Sequence, residues 1–120
     1  MKRILIADDE EILRMLIADT LEDLADVQID TAEDGRAALE KLTKSDYDLL
    51  LLDYMMPELS GMEVLERLPV EKKARMPIIM LTAKAQESDR EKALAAGASS
   101  FVPKPFSPMD LLQVVEDMLA

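Results

Sequence analysis

The sequence predicts a single α/β domain, a parallel sheet wound on both faces by helices, and three observations carry that prediction. Leu49-Leu50-Leu51-Leu52 is a run of four leucines with no polar alternate, as expected of a strand covered on both faces. Short apolar runs alternate with helix-period stretches along the whole chain, giving five strands and five helices joined by right-handed crossovers. The predicted strands end in polar residues, and in a parallel sheet those ends open on one edge. At 120 residues, with 49% hydrophobic content and no low-complexity tract, residues 1–120 fit one domain with one core.

In order, Arg3-Ile4-Leu5-Ile6-Ala7 is the first strand and ends at Asp8-Asp9-Glu10-Glu11. From Glu10 to about Leu24, the residues Leu13, Leu16, Ile17, Thr20, Leu21 and Leu24 form a helical apolar stripe, and the helix dipole favours the acids at its start. Met15 projects from the other side. Val27 to Ala32 alternates weakly and reads as an edge strand; Asp34-Gly35 then turns into a helix reaching about Lys44. Leu49 to Leu52 is the central strand. Pro57 and Gly61 bracket a loop, and Met62, Leu65 and Leu68 give a short helix that Pro69 curtails. Pro77 to Leu81 is a buried strand followed by Thr82-Ala83-Lys84. Gln86 to Ala96 is helix-forming but poor in apolar residues, which predicts a thinly anchored, mobile helix stopping at Gly97. Ser100-Phe101-Val102 is the last strand. After Lys104-Pro105-Phe106, Ser107 caps the final helix with Pro108 in its first turn and Asp110 three after the cap, so that Leu111, Leu112, Val115 and Met118 face inward.

Composition narrows the function. Lys and Arg total 14 against 25 Asp and Glu, a formal charge of −11 that repels phosphate backbones and anionic lipid. Direct nucleic-acid binding is therefore not expected. The chain has no cysteine and no apolar run of membrane-span length, which suits a cytoplasmic protein. It also has no histidine, so the commonest general base and zinc ligand are excluded.

The chemistry lies at the strand ends: Asp8 and Asp9 after the first strand, Asp53 after the third, Thr82 after the fourth and Lys104 after the fifth. Two unit charges about 4 Å apart repel by roughly 4 kcal/mol at an effective dielectric of about 20, so three gathered carboxylates require a cation. Hard oxygen ligands select Mg²⁺ or Mn²⁺, and the loop after Asp53 supplies a further oxygen, most simply the Met55 carbonyl. An ammonium at Lys104 and a hydroxyl at Thr82 would hold the remaining oxygens of a phosphoryl group. Asp53 is then the candidate nucleophile.

Asp8-Asp9, Asp53 with Met56-Pro57 and Gly61 behind it, Thr82-Ala83 and Lys104-Pro105-Phe106 resemble the receiver domain of two-component response regulators, over the whole chain. The resemblance implies a flavodoxin-like five-stranded sheet in the order 2-1-3-4-5, Mg²⁺-dependent phosphorylation of Asp53 by a histidine kinase or phosphotransfer protein, and slow self-dephosphorylation. It implies that Asp9 and Asp53 bind the metal directly, Asp8 through water and Met55 through its carbonyl. Thr82 would move to the phosphoryl group, Lys104 would pair with it, and Phe101 would rotate inward on activation. Lys104-Pro105 resembles the family's cis proline, and Met55 and Lys84 occupy positions that tune phosphoryl lifetime. Chemotaxis members often carry tyrosine where this chain has Phe101, which can report the switch only by packing.

Simpler readings stand beside these. Asp8-Asp9 alone reads as helix capping, Asp53 alone as a turn cap, a lysine before proline as solvated surface, and Phe101 as core filler. An exposed Met15 needs no explanation, although with Ile12 it forms a candidate kinase-docking patch. An enzyme proper, a phosphatase or nucleotide hydrolase, lacks a Gly-rich phosphate loop here and a second acid two residues after Asp53. A fold-only interaction module would not need Asp9, Asp53, Thr82 and Lys104 together. The expectation is a signalling phosphoacceptor whose output face is the fourth helix, fifth strand and fifth helix, about Lys84 to Met118, presented to a protein partner or effector domain. The sequence is compatible with a free-standing regulator and with the receiver of a longer protein.

Overall fold

The structure, a computed structural model, describes residues 1–83 and 86–120. β1 (Lys2–Ala7), β2 (Val27–Ala32), β3 (Leu49–Asp53), β4 (Ile78–Thr82) and β5 (Ser100–Pro103) form one parallel sheet in the order β2-β1-β3-β4-β5. The helices are α1 (Glu11–Leu21), α2 (Gly35–Lys44), α3 (Gly61–Arg67), α4 (Val70–Arg75), α5 (Glu87–Ala95) and α6 (Pro108–Leu119). This is the flavodoxin-like arrangement expected, with the strand order as anticipated.

Strand geometry explains why the leucine run is needed. Successive side chains point to opposite faces, so Leu49 and Leu51 join Ile4, Ile6, Ile79 and Leu81 beneath α1 and α6. Leu50 and Leu52 join Leu5, Ala7, Ile78 and Met80 beneath α2, α3 and α5. The pairing keeps the faces in register, Ile4 opposite Leu49 and Leu50 opposite Ile78. All four leucines are fully buried. At about 25 cal/mol per Å² of apolar surface, each such side chain contributes roughly 1.5–3 kcal/mol.

Among the described residues the helix count is corrected from five to six. Pro69 does end α3, whose start carries a Ser60/Glu63 capping box, but a second short helix, α4, begins immediately after it. Hydrophobic periodicity could not show α4, because none of its residues is buried. Its anchors are polar. The Lys72 ammonium donates to the carbonyls of Leu42 and Ser45 at the end of α2. Lys73 donates to the Leu65 carbonyl in α3 at 3.0 Å and to the Ala96 carbonyl just past α5 at 2.8 Å. These cations sit where helix C-termini leave carbonyls unpaired.

Other boundaries moved little. α1 stops at Leu21 rather than Leu24, and Leu16, assigned to the buried stripe, is 45% exposed. Met15 is exposed, as expected. Asp34 caps α2 by accepting from the Ala37 amide, and Ser107 caps α6 with Pro108 in its first turn. Gly97, at φ +119°, turns the chain after α5. Only Ala93 of α5 is buried, in line with thin anchoring. Among the described residues no helix is long and apolar enough to cross a membrane.

Lys73→Met keeps most of the stem but removes two charge-assisted bonds, and should lower the unfolding free energy by roughly 1.5–3 kcal/mol. Urea denaturation measures it; an unchanged midpoint would mean that Lys73 does not hold α3 and α5 together.

Candidate functional site

The site stands on the carboxyl edge of the sheet. Ala7 pairs with Leu52 at the top of β1 and β3, so continuing that register brings Asp8 opposite Asp53. By the same alternation Asp8 and Asp53 share the side of Ile6 and Leu51, the α1/α6 side. Thr82 lies on the side of Met80, whose partner in β5 is Phe101.

Asp8 is fully buried and all its polar groups are engaged. Its amide donates to the Ala32 carbonyl at 3.1 Å. Its Oδ1 accepts from the Glu10 amide at 2.9 Å, its Oδ2 from Lys104 Nζ at 3.2 Å, and its carbonyl from Arg14 Nη1 at 2.7 Å. Asp53 is 4% exposed, and its Oδ1 accepts from the same Lys104 Nζ at 3.2 Å. One ammonium therefore bridges two carboxylates 45 residues apart in sequence. Lys104 is steered there by its backbone, whose amide donates to the Thr82 carbonyl at 2.6 Å. The Lys104-Pro105 bond that follows is cis, as the resemblance implied.

Behind Asp53 the chain runs close. A Cβ on Gly61 would stand 2.4 Å from the Asp53 carbonyl oxygen, so only glycine fits. The Gly61 amide donates to the Tyr54 carbonyl at 2.8 Å. Met55 turns its side chain to solvent. Thr82 is fully buried, and Phe101 is half-buried against the α2/α3/α5 layer. Lys84 lies outside the described residues.

Burial raises the Asp53 carboxyl, and Asp8 pushes it the same way. Lys104 and the Met55 amide oppose them, and the pKa settles at about 6 against an ordinary 3.8. For Lys104, burial acts to lower the pKa, but Asp53 and Asp8 outweigh it and the ammonium is held above its usual range.

Carboxylate oxygens of Asp8, Asp9 and Glu10 lie within 4.8 Å of one another. Asp53 is tied to one of them, Asp8, through Lys104, and Asp9 stands exposed. This cluster of hard oxygens, with no histidine or cysteine anywhere in the chain, suits a divalent cation such as Mg²⁺. Sequence reasoning brought out Asp8, Asp9, Asp53, Thr82 and Lys104, but passed over Glu10 and Arg14. Glu10 was visible as the third acid in a run of four; Arg14 gave no signal, because it reaches back to a backbone carbonyl. The Tyr54 hydroxyl, 3.4 Å from Asp89 Oδ1 in α5, was also missed.

Residues 4–116 match the family model described as the response regulator receiver domain. The chain belongs to that family. Receiver domains of two-component systems are signalling phosphoacceptors that work with histidine kinases and effector domains. This receiver domain is 44% identical over 117 residues to the transcriptional regulatory protein ResD of Bacillus subtilis, covering 98% of this chain and 48% of ResD. The chain thus spans about half the length of that curated relative. It is 37% identical over 119 residues to a chemotaxis protein CheY homolog of Campylobacter jejuni, covering 98% of this chain and 92% of the relative. Among solved structures, TrrA of Thermotoga maritima, described in complex with Mg(2+)-BeF, superposes with a TM-score of 0.85 at 39% identity, covering 99% of this chain and 100% of that one.

The Asp53 shift fixes the sign of a stability effect. In the metal-free protein, between about pH 4 and pH 6, folded Asp53 keeps a proton that the unfolded chain has released, so stability falls as pH rises through that window. Asp53→Asn removes this loss, on the order of 3 kcal/mol at pH 7.5. In EDTA the variant should melt several degrees above the parent at pH 7.5, with the gap closing by pH 4. A lower melting temperature at pH 7.5 would show that the Lys104 pairing outweighs burial and repulsion.

Proposed function

We propose that Asp53 is the phosphoacceptor of a two-component phosphorelay, receiving a phosphoryl group from a histidine kinase or phosphotransfer protein. The observation that carries the reading is the single Lys104 ammonium, 3.2 Å from both Asp53 and Asp8 at the end of the central strands.

In the proposed step an Asp53 carboxylate oxygen attacks phosphorus. The O–P bond forms as the bond to the donor's histidine nitrogen breaks, and its electron pair leaves with that nitrogen. Asp53 is fixed for the attack by Lys104 and the Met55 amide. Lys104 then passes from the carboxylate to a phosphoryl oxygen, which has become the stronger acceptor. Thr82 supplies a hydroxyl to a second oxygen. Asp8, Asp9, Asp53 and the Met55 carbonyl would hold Mg²⁺, or Mn²⁺, with Glu10 beside them; bound there, the metal neutralises charge on the transferring group. The Mg(2+)-BeF complex of TrrA supports that choice. The chain catalyses its own phosphorylation and slow dephosphorylation, without acting as an enzyme on a separate substrate.

The donor docks beside the site. Ile12 and Met15 are 83% and 59% exposed on α1. Next to them a groove of Leu13, Leu16, Pro105 and Phe106 leads to Lys104. Such apolar surface, open to solvent, marks a partner site.

Output is assigned to α5, β5 and α6, the elements anticipated as fourth helix, fifth strand and fifth helix before α3 and α4 were separated. A phosphoryl group adds about −1.5 to −2 charge. Thr82 moves toward it, and Phe101, on the same side of the sheet, follows into the space left. The receiving surface belongs to a protein partner or effector domain. A charge of −11 argues against direct nucleic-acid or membrane contact by this domain, and the reading places it in the cytoplasm.

Acetyl phosphate with Mg²⁺ should give one labile phosphoryl adduct by intact mass, absent in Asp53→Asn and absent with EDTA. An adduct persisting in Asp53→Asn would overturn the assignment. Amide exchange with beryllofluoride and Mg²⁺ should change within residues 86–118; exchange unaltered there would remove the output face.

A further inference from the structure

The Asp8-Asp9-Glu10 turn is held by four bonds, and they do not fall evenly on it. Asp8 is clamped at its amide by Ala32 and at its carboxylate by Lys104. Asp9, by contrast, is exposed, and neither of its flanking peptide groups belongs to the sheet pairing, which ends at Ala7. Its position is set by what holds those two peptide groups. On the far side, the Glu10 amide donates to Asp8 Oδ1 at 2.9 Å. On the near side, the Asp8 carbonyl accepts from Arg14 Nη1 at 2.7 Å. Arg14 itself is half-buried and fixed in the first turn of α1, where its amide donates to the Glu10 carbonyl at 2.9 Å.

We infer that Arg14 is a positioning residue for the divalent-cation site, its guanidinium holding the Asp8 carbonyl so that the Asp9 carboxylate is presented beside those of Asp8 and Glu10. The inference rests on the metal-binding part of the phosphoacceptor reading. It runs against simple charge logic, which makes it decisive to test. A fixed cation near a metal site repels the metal, so removing Arg14 would tighten binding if charge were its whole effect. If orientation is its role, removal loosens binding despite the relieved repulsion. Groups that orient metal ligands from behind typically cost 10–100-fold in affinity when mutated.

The test is calorimetric titration of the unphosphorylated chain with Mn²⁺ and with Mg²⁺, comparing the parent with Arg14→Met, Arg14→Lys and Arg36→Ala. Arg36 is exposed in α2, outside the site. Arg14→Met should weaken binding at least tenfold. Arg14→Lys, which keeps the charge and one donor, should recover part of the loss, and Arg36→Ala should match the parent. Affinity unchanged or tighter in Arg14→Met would overturn the inference, since a purely structural arginine would lower the melting temperature and leave the titration alone. Should Arg14→Met not fold, Arg14→Lys decides: several-fold weaker binding supports the role and parental affinity removes it. A parent chain that binds neither ion would instead sink the metal site itself, and this inference with it.

Discussion

The structure depends on an electrostatic arrangement that would be untenable in two parts. Asp8 and Asp53, both buried, stand at the tops of neighbouring strands, and burial alone penalises their charged forms. A single ammonium 3.2 Å from each offsets the repulsion between them. That ammonium is delivered from the far end of the chain, after β5, so the site exists only once β1, β3 and the segment beyond β5 have come together. The acids remain in excess of the cations around the rim, and burial together with Asp8 pushes the Asp53 carboxyl up to about 6. A bound cation would offset the excess negative charge there.

The division of side chains between the two faces of the sheet gives the site its direction. Asp8, Asp53 and Lys104 meet on the α1/α6 side, and Ile12 and Met15 are exposed on α1. Thr82 and Phe101 lie on the other side, toward α5. The two groups therefore occupy different parts of one rim. Tyr54, directly after Asp53, adds a link across to Asp89.

The core was legible in the sequence because buried strands announce themselves by composition. Leu49 to Leu52, Ile78 to Leu81 and Ile4 to Ala7 have no other use for so many apolar side chains. The strand-end residues were legible because parallel topology gathers them. What escaped had no periodic signature. α4 hides behind Pro69, since lysine-to-carbonyl bonds leave no hydrophobic pattern. Leu16 has the spacing of a core residue, yet it lines a groove against Pro105 and Phe106. Arg14 acts on a backbone oxygen, which carries no residue identity to match.

The even split of the four leucines, two to each helix layer, has a mechanical meaning. A strand gripped from above and below by close-packed side chains cannot slide or tilt without opening voids on both sides at once. Asp53 is thus mounted on a strand held on both faces. Its carboxylate is therefore presented to the rim from a fixed mount.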